Sequence, residues 1–458
     1  MDEEPTALRL PDPGIRALFS EDARWQSWLD VEAALAAAEA ELGVIPADAA
    51  AEIRRAARLE LLDRAAIRAG LERTGHALVP LIWELDRVCG GEAGGFVHWG
   101  ATTQNITQTG LIMQLRRAHE TFLRLLASIF ETLAALAERT ADLPLPGRTH
   151  GQHAVPATFG LKVAVWIDEL GRHVERLRGC EPRLFVALFG GAAGTLASVG
   201  EIGIEIQERM AAQLSLRPMP LPARTIGDHL AEYVTLLGLL ASTCSKIGRE
   251  IYELMKPEFG EVEEPVPPGT VGSSTMPQKR NPKLCQDIVA AAAELRALVP
   301  LALESMQTEH EADRTTSLMI GRALSEACIM TGEILVRLDA LFAGLQIFPE
   351  RMRRNLDLSG GLIMAEAVML ELGRRLGRQR AHDLVYEAAQ TAATSGRPFR
   401  DLLLEDVIVR GQLSPAEIDA LLDPVRYTGA SATFARRAAA TGRELAASLR
   451  ARQPAPAR

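Results

Sequence analysis

Apolar residues return every three or four positions along most of the chain. From 111 they run Leu111, Leu115, Ala118, Phe122, Leu125, Ile129, Leu133 and Leu136. A second register reads Leu230, Val234, Leu237, Ala241, Cys244, Ile247, Ile251 and Leu254. A third reads Leu284, Ile288, Ala291, Leu295 and Leu298, and Pro300 is expected to kink or end it. Such steps place one apolar stripe along one side of a helix. Each run covers about 17 residues or more, longer than the usual globular helix. No convincing alternating strand pattern stands beside them, so the chain reads as long helices joined by polar turns, a bundle.

Four Gly/Pro-rich breaks interrupt the helices: GGEAGGFVHWGATTQ (90–104), DLPLPGRTHGQHAVP (142–156), LRPMPLPAR (216–224) and KPEFGEVEEPVPPGTVGSSTMPQKRNP (256–282). Loops longer than about 12 to 15 residues in a compact domain tend to be functional or disordered. A further boundary falls near IFPERMRRNLDLSGG (347–361). The division expected is an N-terminal helical domain (1–105), a central bundle carrying the loop 272–282 (106–350), and a C-terminal helical domain (351–458) ending in a disordered RQPAPAR tail.

Composition narrows the class. With 458 residues, 47% hydrophobic and 24% charged, the chain is an ordinary globular protein. Lys+Arg 50 against Asp+Glu 59 gives a net charge of −9, which disfavours nucleic acid as a partner. The five cysteines (89, 180, 244, 285 and 328) are widely spaced and read as buried free thiols of a reducing cytoplasm. No apolar run approaches the roughly 18 residues that cross a bilayer, and the acidic N-terminus is no signal peptide. His150 and His153 lack companions for a zinc set, so neither metal nor organic cofactor is expected.

The chemistry lies in the breaks. In GSSTMPQKRNP (272–282), Gly272 gives backbone freedom, and Asn281 followed by Pro282 fits N-cap then N1 of the next helix. A helix start with Lys279 beside it suits a carboxylate. Ser273 and Ser274 are hydroxyls in that anion-attracting loop, where a serine can act as a base. GRTHGQHAVP gathers Thr149, His150 and Gln152; HWGATTQN offers His98, Thr102, Thr103 and Gln104 before a helix. Read singly, these also fit a flexible linker, a surface histidine and ordinary N-cap hydroxyls, and EHEADRTTS (309–317) fits a solvated helix end.

Together the segments resemble the fumarase/aspartase superfamily, in the branch of 3-carboxy-cis,cis-muconate cycloisomerase and adenylosuccinate lyase. GSSTMPQKRNP looks like its signature GSSxMPxKxNP, and GATTQN and GRTHGQHAVP are similar to two other segments in the same order. FGGAAGTLASVG (189–200) and RMRRNLDLSGGLIMAEAVML (351–370) extend the likeness over nearly the whole chain. The resemblance implies an all-α fold of three helical domains and a homotetramer whose composite active sites draw on three subunits. It implies a mobile signature loop that closes over a small polycarboxylate. Ser273 would be the base, with His150, aided by His98, moving the proton of the departing group. Lys279 and Asn281 would hold the dianionic aci-carboxylate, an interaction strongest near the transition state. Thr102, Thr103, Gln104, Thr149 and Gln152 would hold substrate oxygens, with Ser274 and Met276 lining the same loop. Counting six residues back from Lys279 favours Ser273 over Ser274, which spacing alone leaves open.

Departures refine the expectation. His150 stands where the cycloisomerase carries Trp, which looks like an eliminating lyase. The phosphate-binding arginines of adenylosuccinate lyase are not evident: GLIMAEAV (361–368) replaces its Gln-Arg version, and Leu10 follows Arg9. Asn105 stands for the usual Asp, and Gln286 for the Glu that pairs with the catalytic histidine, which weakens the bias toward a protonated His150. The expected activity is elimination of a C–N or C–O leaving group from a succinate-like substrate to give fumarate or a substituted fumarate. The alternative is the lactonising cycloisomerase. Intact Ser273, Lys279, Asn281 and His150 argue against a non-catalytic scaffold.

Overall fold

The computed structural model describes residues 5–451, so the RQPAPAR segment lies outside the described residues. Helix accounts for 69% of the chain, about twice the share of an average globular protein. Among the described residues the strands form three two-stranded pairs. The fold is all-α.

The three apolar registers fall on helices Thr103–Arg139, Asp228–Leu254 and Lys283–Glu304. All eight positions of the second register are buried. That helix is nonetheless long and apolar enough to cross a bilayer, contrary to the sequence expectation, but its apolar stripe is spent on the protein's own interior. Pro300 does not stop the third helix, which continues to Glu304. The proline is exposed, and the helix runs through it although it donates no N–H to the turn before. All five cysteines are free and buried.

The chain divides into two compact units. One comprises Met1–Arg124, His173–Cys244 and Ala290–Val336; the other comprises Leu125–Arg172, Ser245–Val289 and Arg337–Arg458. In the first, helix Glu21–Glu41 packs against Ala47–Ala56 and Ile202–Gln213. Ser20 caps it, its hydroxyl accepting the Ala23 N–H at 3.2 Å. Its inner face buries Trp25, Leu29 and Leu35, and with them two carboxylates, Glu32 and Glu39.

Glu39 is fully buried and neither of its oxygens has a partner. Burial, then the charge of Glu32, push its carboxyl up to about 8. The folded chain therefore keeps a proton that the unfolded chain releases, and stability falls as pH rises from about 4.5 to about 8. Glu39→Gln is expected to flatten that slope and to gain up to about 3 kcal/mol at neutral pH. Chemical denaturation at about pH 5 and at neutral pH checks this, and an unchanged slope would show that Glu39 is not the group holding the proton.

In the second unit, helices Ala365–Leu376 and Arg378–Ser395 pack together over Val368, Leu372, Phe399 and Leu403. The break 142–156, expected as a loop, is instead largely an antiparallel hairpin of Pro144–Thr149 with Gln152–Thr158. Prolines 144, 146 and 156 mask the strand pattern, and they are tolerated because a two-stranded sheet has only edge strands. The register shifts between Pro146 and Arg148, where Gly147 is required: a Cβ there would lie 2.5 Å from the Val155 carbonyl oxygen.

Candidate active site

In the first unit, Thr103 opens its helix and Asn105 organises the approach to it. The Asn105 side-chain oxygen accepts the N–H groups of Thr102 and Gly191, each at 3.1 Å. The first bond is the returning half of a capping box. A carboxylate would serve both donors equally well. The amide at 105 instead leaves its Nδ2 buried without a partner, the physical mark of the departure from Asp.

Thr102, Thr103 and Gln104 line a cavity of about 1020 Å³ together with Trp25 and Trp28. The Gln104 amide donates to the Gln108 side chain and to the Arg224 carbonyl, both at 2.9 Å, and accepts from Arg224 Nε at 3.1 Å. Gln104 is thus engaged inside the protein, and Arg224 is the group it orients. Thr103 Oγ1 lies 3.4 Å from His76 Nε2. His76 Nδ1 accepts the Leu78 and Val79 N–H groups at 3.3 and 3.1 Å, which puts the ring proton on Nε2, toward Thr103. Part of EHEADRTTS, read as a solvated helix end, also lines this cavity through Asp313, Arg314 and Ser317.

His98 turns elsewhere. Its Nδ1 lies 2.7 Å from Glu32, which is 1% exposed, and it is not among the residues lining the cavity. Burial lowers the imidazole's affinity for a proton, but the Glu32 hydrogen bond and charge outweigh it, and the pKa is raised. Glu32 therefore makes His98 a readier holder of a proton and engages it through Nδ1.

In the second unit, Thr149, His150 and Gln152 are exposed at the hairpin tip. His150 and Gly151 both have positive φ, 53° and 76°, as a type I′ two-residue turn demands. Arg148, one residue from the tip, makes paired hydrogen bonds at 2.6 and 3.0 Å to Glu261 and stacks over the Phe259 ring. The fully buried Glu261 also accepts from Asn355 at 2.8 Å. His153 faces Arg148 across the hairpin, and burial together with that positive charge lowers its pKa.

The loop 272–282 folds onto itself. A Cβ at Gly272 would meet the Lys279 carbonyl oxygen, and Asn281 Nδ2 donates to the Gly272 carbonyl at 2.5 Å. Ser273 Oγ accepts the N–H groups of Thr275 and Met276 at 3.2 and 3.1 Å. Ser274, Met276 and Lys279 are exposed, and the last two border a second cavity of about 500 Å³.

One expectation fails here. The helix begins at Lys283, not Pro282, and its tip is not free for a ligand. The carboxylate of buried Glu264 accepts the Leu284 and Cys285 N–H groups, each at 3.1 Å. Asn281 closes the loop instead of capping. The N–H groups of Leu284 and Cys285 at that helix start are therefore not open to a carboxylate held near the loop. Gln286 is exposed on the same helix. No hydrogen bond joins the hairpin tip to this loop among the described residues of the unit.

The comparisons agree with this framework. Residues 8–296 match the family model described as Lyase, and residues 361–438 the one described as Adenylosuccinate lyase C-terminus. The chain is 42% identical to N-acetyl-S-(2-succino)cysteine lyase of Enterococcus italicus over 415 residues, 91% of each chain. It is 43% identical to 3-carboxy-cis,cis-muconate cycloisomerase of Pseudomonas aeruginosa over 429 residues, 93% of this chain and 94% of that one. The crystal structure of 3-carboxy-cis,cis-muconate lactonizing enzyme from Pseudomonas putida matches with a TM-score of 0.89 at 37% identity, covering 97% of this chain and all of that one. An all-helical scaffold with these segments is that of a lyase. The chain belongs to the fumarase/aspartase superfamily and is an enzyme of its fumarate-lyase type.

Proposed function

We propose that the enzyme eliminates a leaving group from a substituted succinate to release fumarate or a substituted fumarate. The observation that carries this is the setting of Ser273: two backbone N–H groups point at its Oγ. Donors aimed at an oxygen favour its ionised form, and among the described residues no such pair serves Ser274. Ser273 takes the proton from the carbon beside a carboxylate. Lys279 balances the dianion that forms, while His150 at its exposed turn, with His98 polarised by Glu32, supplies the proton to the departing group. Thr102, Thr103, Thr149 and Gln152 hold substrate oxygens. Among the described residues the hairpin tip and the loop share no hydrogen bond, which supports a composite site completed by other copies in a homotetramer.

Relatives named N-acetyl-S-(2-succino)cysteine lyase widen the departing group from C–N and C–O to a sulfur-linked substituent. The near-equal identity to the muconate cycloisomerase supports lactonisation as a second reading. A substrate panel separates the two. The purified enzyme is offered N-, O- and S-substituted succinates and carboxymuconate, and fumarate is followed by its ultraviolet absorbance. Fumarate from any substituted succinate is the expected result. Cyclisation of carboxymuconate with no fumarate from any of the succinates would transfer the assignment to the second reading.

A further inference from the structure

Arg224 has a setting that the reaction as described does not use. It is half-buried, lines the cavity beside Thr102, Thr103 and Gln104, and has no carboxylate within ion-pair distance among the described residues. Two neutral acceptors fix its guanidinium: Gln104 Oε1 takes Nε at 3.1 Å and the Ala192 carbonyl takes Nη1 at 2.6 Å. Nη2 makes no hydrogen bond among the described residues. The backbone is shaped for this. A Cβ at Gly190 would lie 2.2 Å from the Pro222 carbonyl oxygen, and one at Gly194 would lie 3.3 Å from Ala223 Cα. The glycines of FGGAAGT therefore let the 222–224 segment sit close enough for Arg224 to reach Ala192.

The charges around it have one sign in excess. Arg24 and Arg314 also line the cavity, against one carboxylate, Asp313, whose Oδ1 accepts the Thr315 N–H at 2.8 Å. A partly buried, oriented and unpaired guanidinium is poorly stabilised unless an anion joins it, and its planar fork matches a carboxylate.

We infer that Arg224 is the receptor for a carboxylate carried on the departing group, so that the enzyme selects succinates whose substituent is itself an acid. This rests on the substituted-succinate reading above and narrows it: the two succinyl carboxylates belong to the reacting end, and Arg224 reads a third. An amine, thiol or hydroxyl acid fits as the departing group; ammonia or water does not.

Two succinyl thioethers test it, one of mercaptopropionate and one of propanethiol, nearly equal in size and different by one carboxylate. The wild-type enzyme is expected to show a KM about 10- to 100-fold lower for the acid-bearing thioether, the scale of one charge-assisted contact. Arg224→Met is expected to remove that preference, raising KM for the acid-bearing compound and leaving kcat and the propanethiol compound nearly unchanged. An arginine that only ties its loop to Ala192 would, when replaced, affect both compounds alike. Equal KM values in the wild type, or a preference that survives in Arg224→Met, overturns the inference. Failure of the elimination reading is distinguishable. If neither thioether yields fumarate, calorimetric titration of both into the two full-length proteins still reads the receptor. A loss of about tenfold in affinity for the acid-bearing thioether alone supports it, and equal binding rejects it.

Discussion

Ser273→Ala is expected to lower turnover of the best substituted succinate by about 10²- to 10⁴-fold, the range of a lost general base, with the helical signal and the assembly state unchanged. Its local bonds are to the exposed N–H groups of Thr275 and Met276, which water can satisfy once the hydroxyl is gone, so the fold has little to lose. On the proposed mechanism the two N–H donors serve the chemistry instead. They raise the acidity of that oxygen, and they do so for one serine of the adjacent pair. Ser274→Ala is therefore the informative control, expected to retain most activity, because Ser274 is exposed and lacks those donors. A profile with the two variants reversed would move the base one residue along and remove the argument from backbone donors. Activity retained in both would place the proton abstraction outside the loop.

Sequence periodicity carried the helical framework because burial of a helix face is a local property. The residues 230, 234, 237, 241, 244, 247, 251 and 254 needed only their mutual spacing to be placed inside, and all are buried. The hairpin was hidden because its prolines break the alternation that marks a strand, and the cross-strand pairing from Pro144 with Thr158 to Thr149 with Gln152 reveals it. The site divides in the same way. The three polar segments were visible as composition. Their supporting partners were not: Glu32 lies 66 residues from His98, Arg224 120 from Gln104, and Glu261 113 from Arg148. No spacing rule reaches such distances. Glu264 is the instructive case. Asn281 and Pro282 have the right chemistry for a cap, and a buried carboxylate 20 residues upstream of Leu284 occupies the position instead. A helix start can be read from sequence; which acceptor satisfies it is decided by tertiary packing.

Arg148→Met should have the largest effect on stability, a loss of about 3 to 5 kcal/mol in chemical denaturation, as for other buried pairs broken on one side. Glu261 is fully buried, and its charge is held by the two hydrogen bonds from Arg148 and one from Asn355. Removing the guanidinium leaves a carboxylate in the interior with a single neutral donor, and the stack on Phe259 is lost as well. Most of the loss belongs to the stranded charge and not to the attraction itself. The double variant Arg148→Met with Glu261→Leu is therefore expected to recover a large part of it. If the double variant is instead as unstable as the sum of the single ones, the pair acts through packing and the electrostatic account fails. The same experiment bears on catalysis, because Arg148 precedes the turn that presents Thr149, His150 and Gln152. With the anchor beside the turn released, those side chains lose a fixed position, and turnover should fall in the single variant and return with stability in the double one.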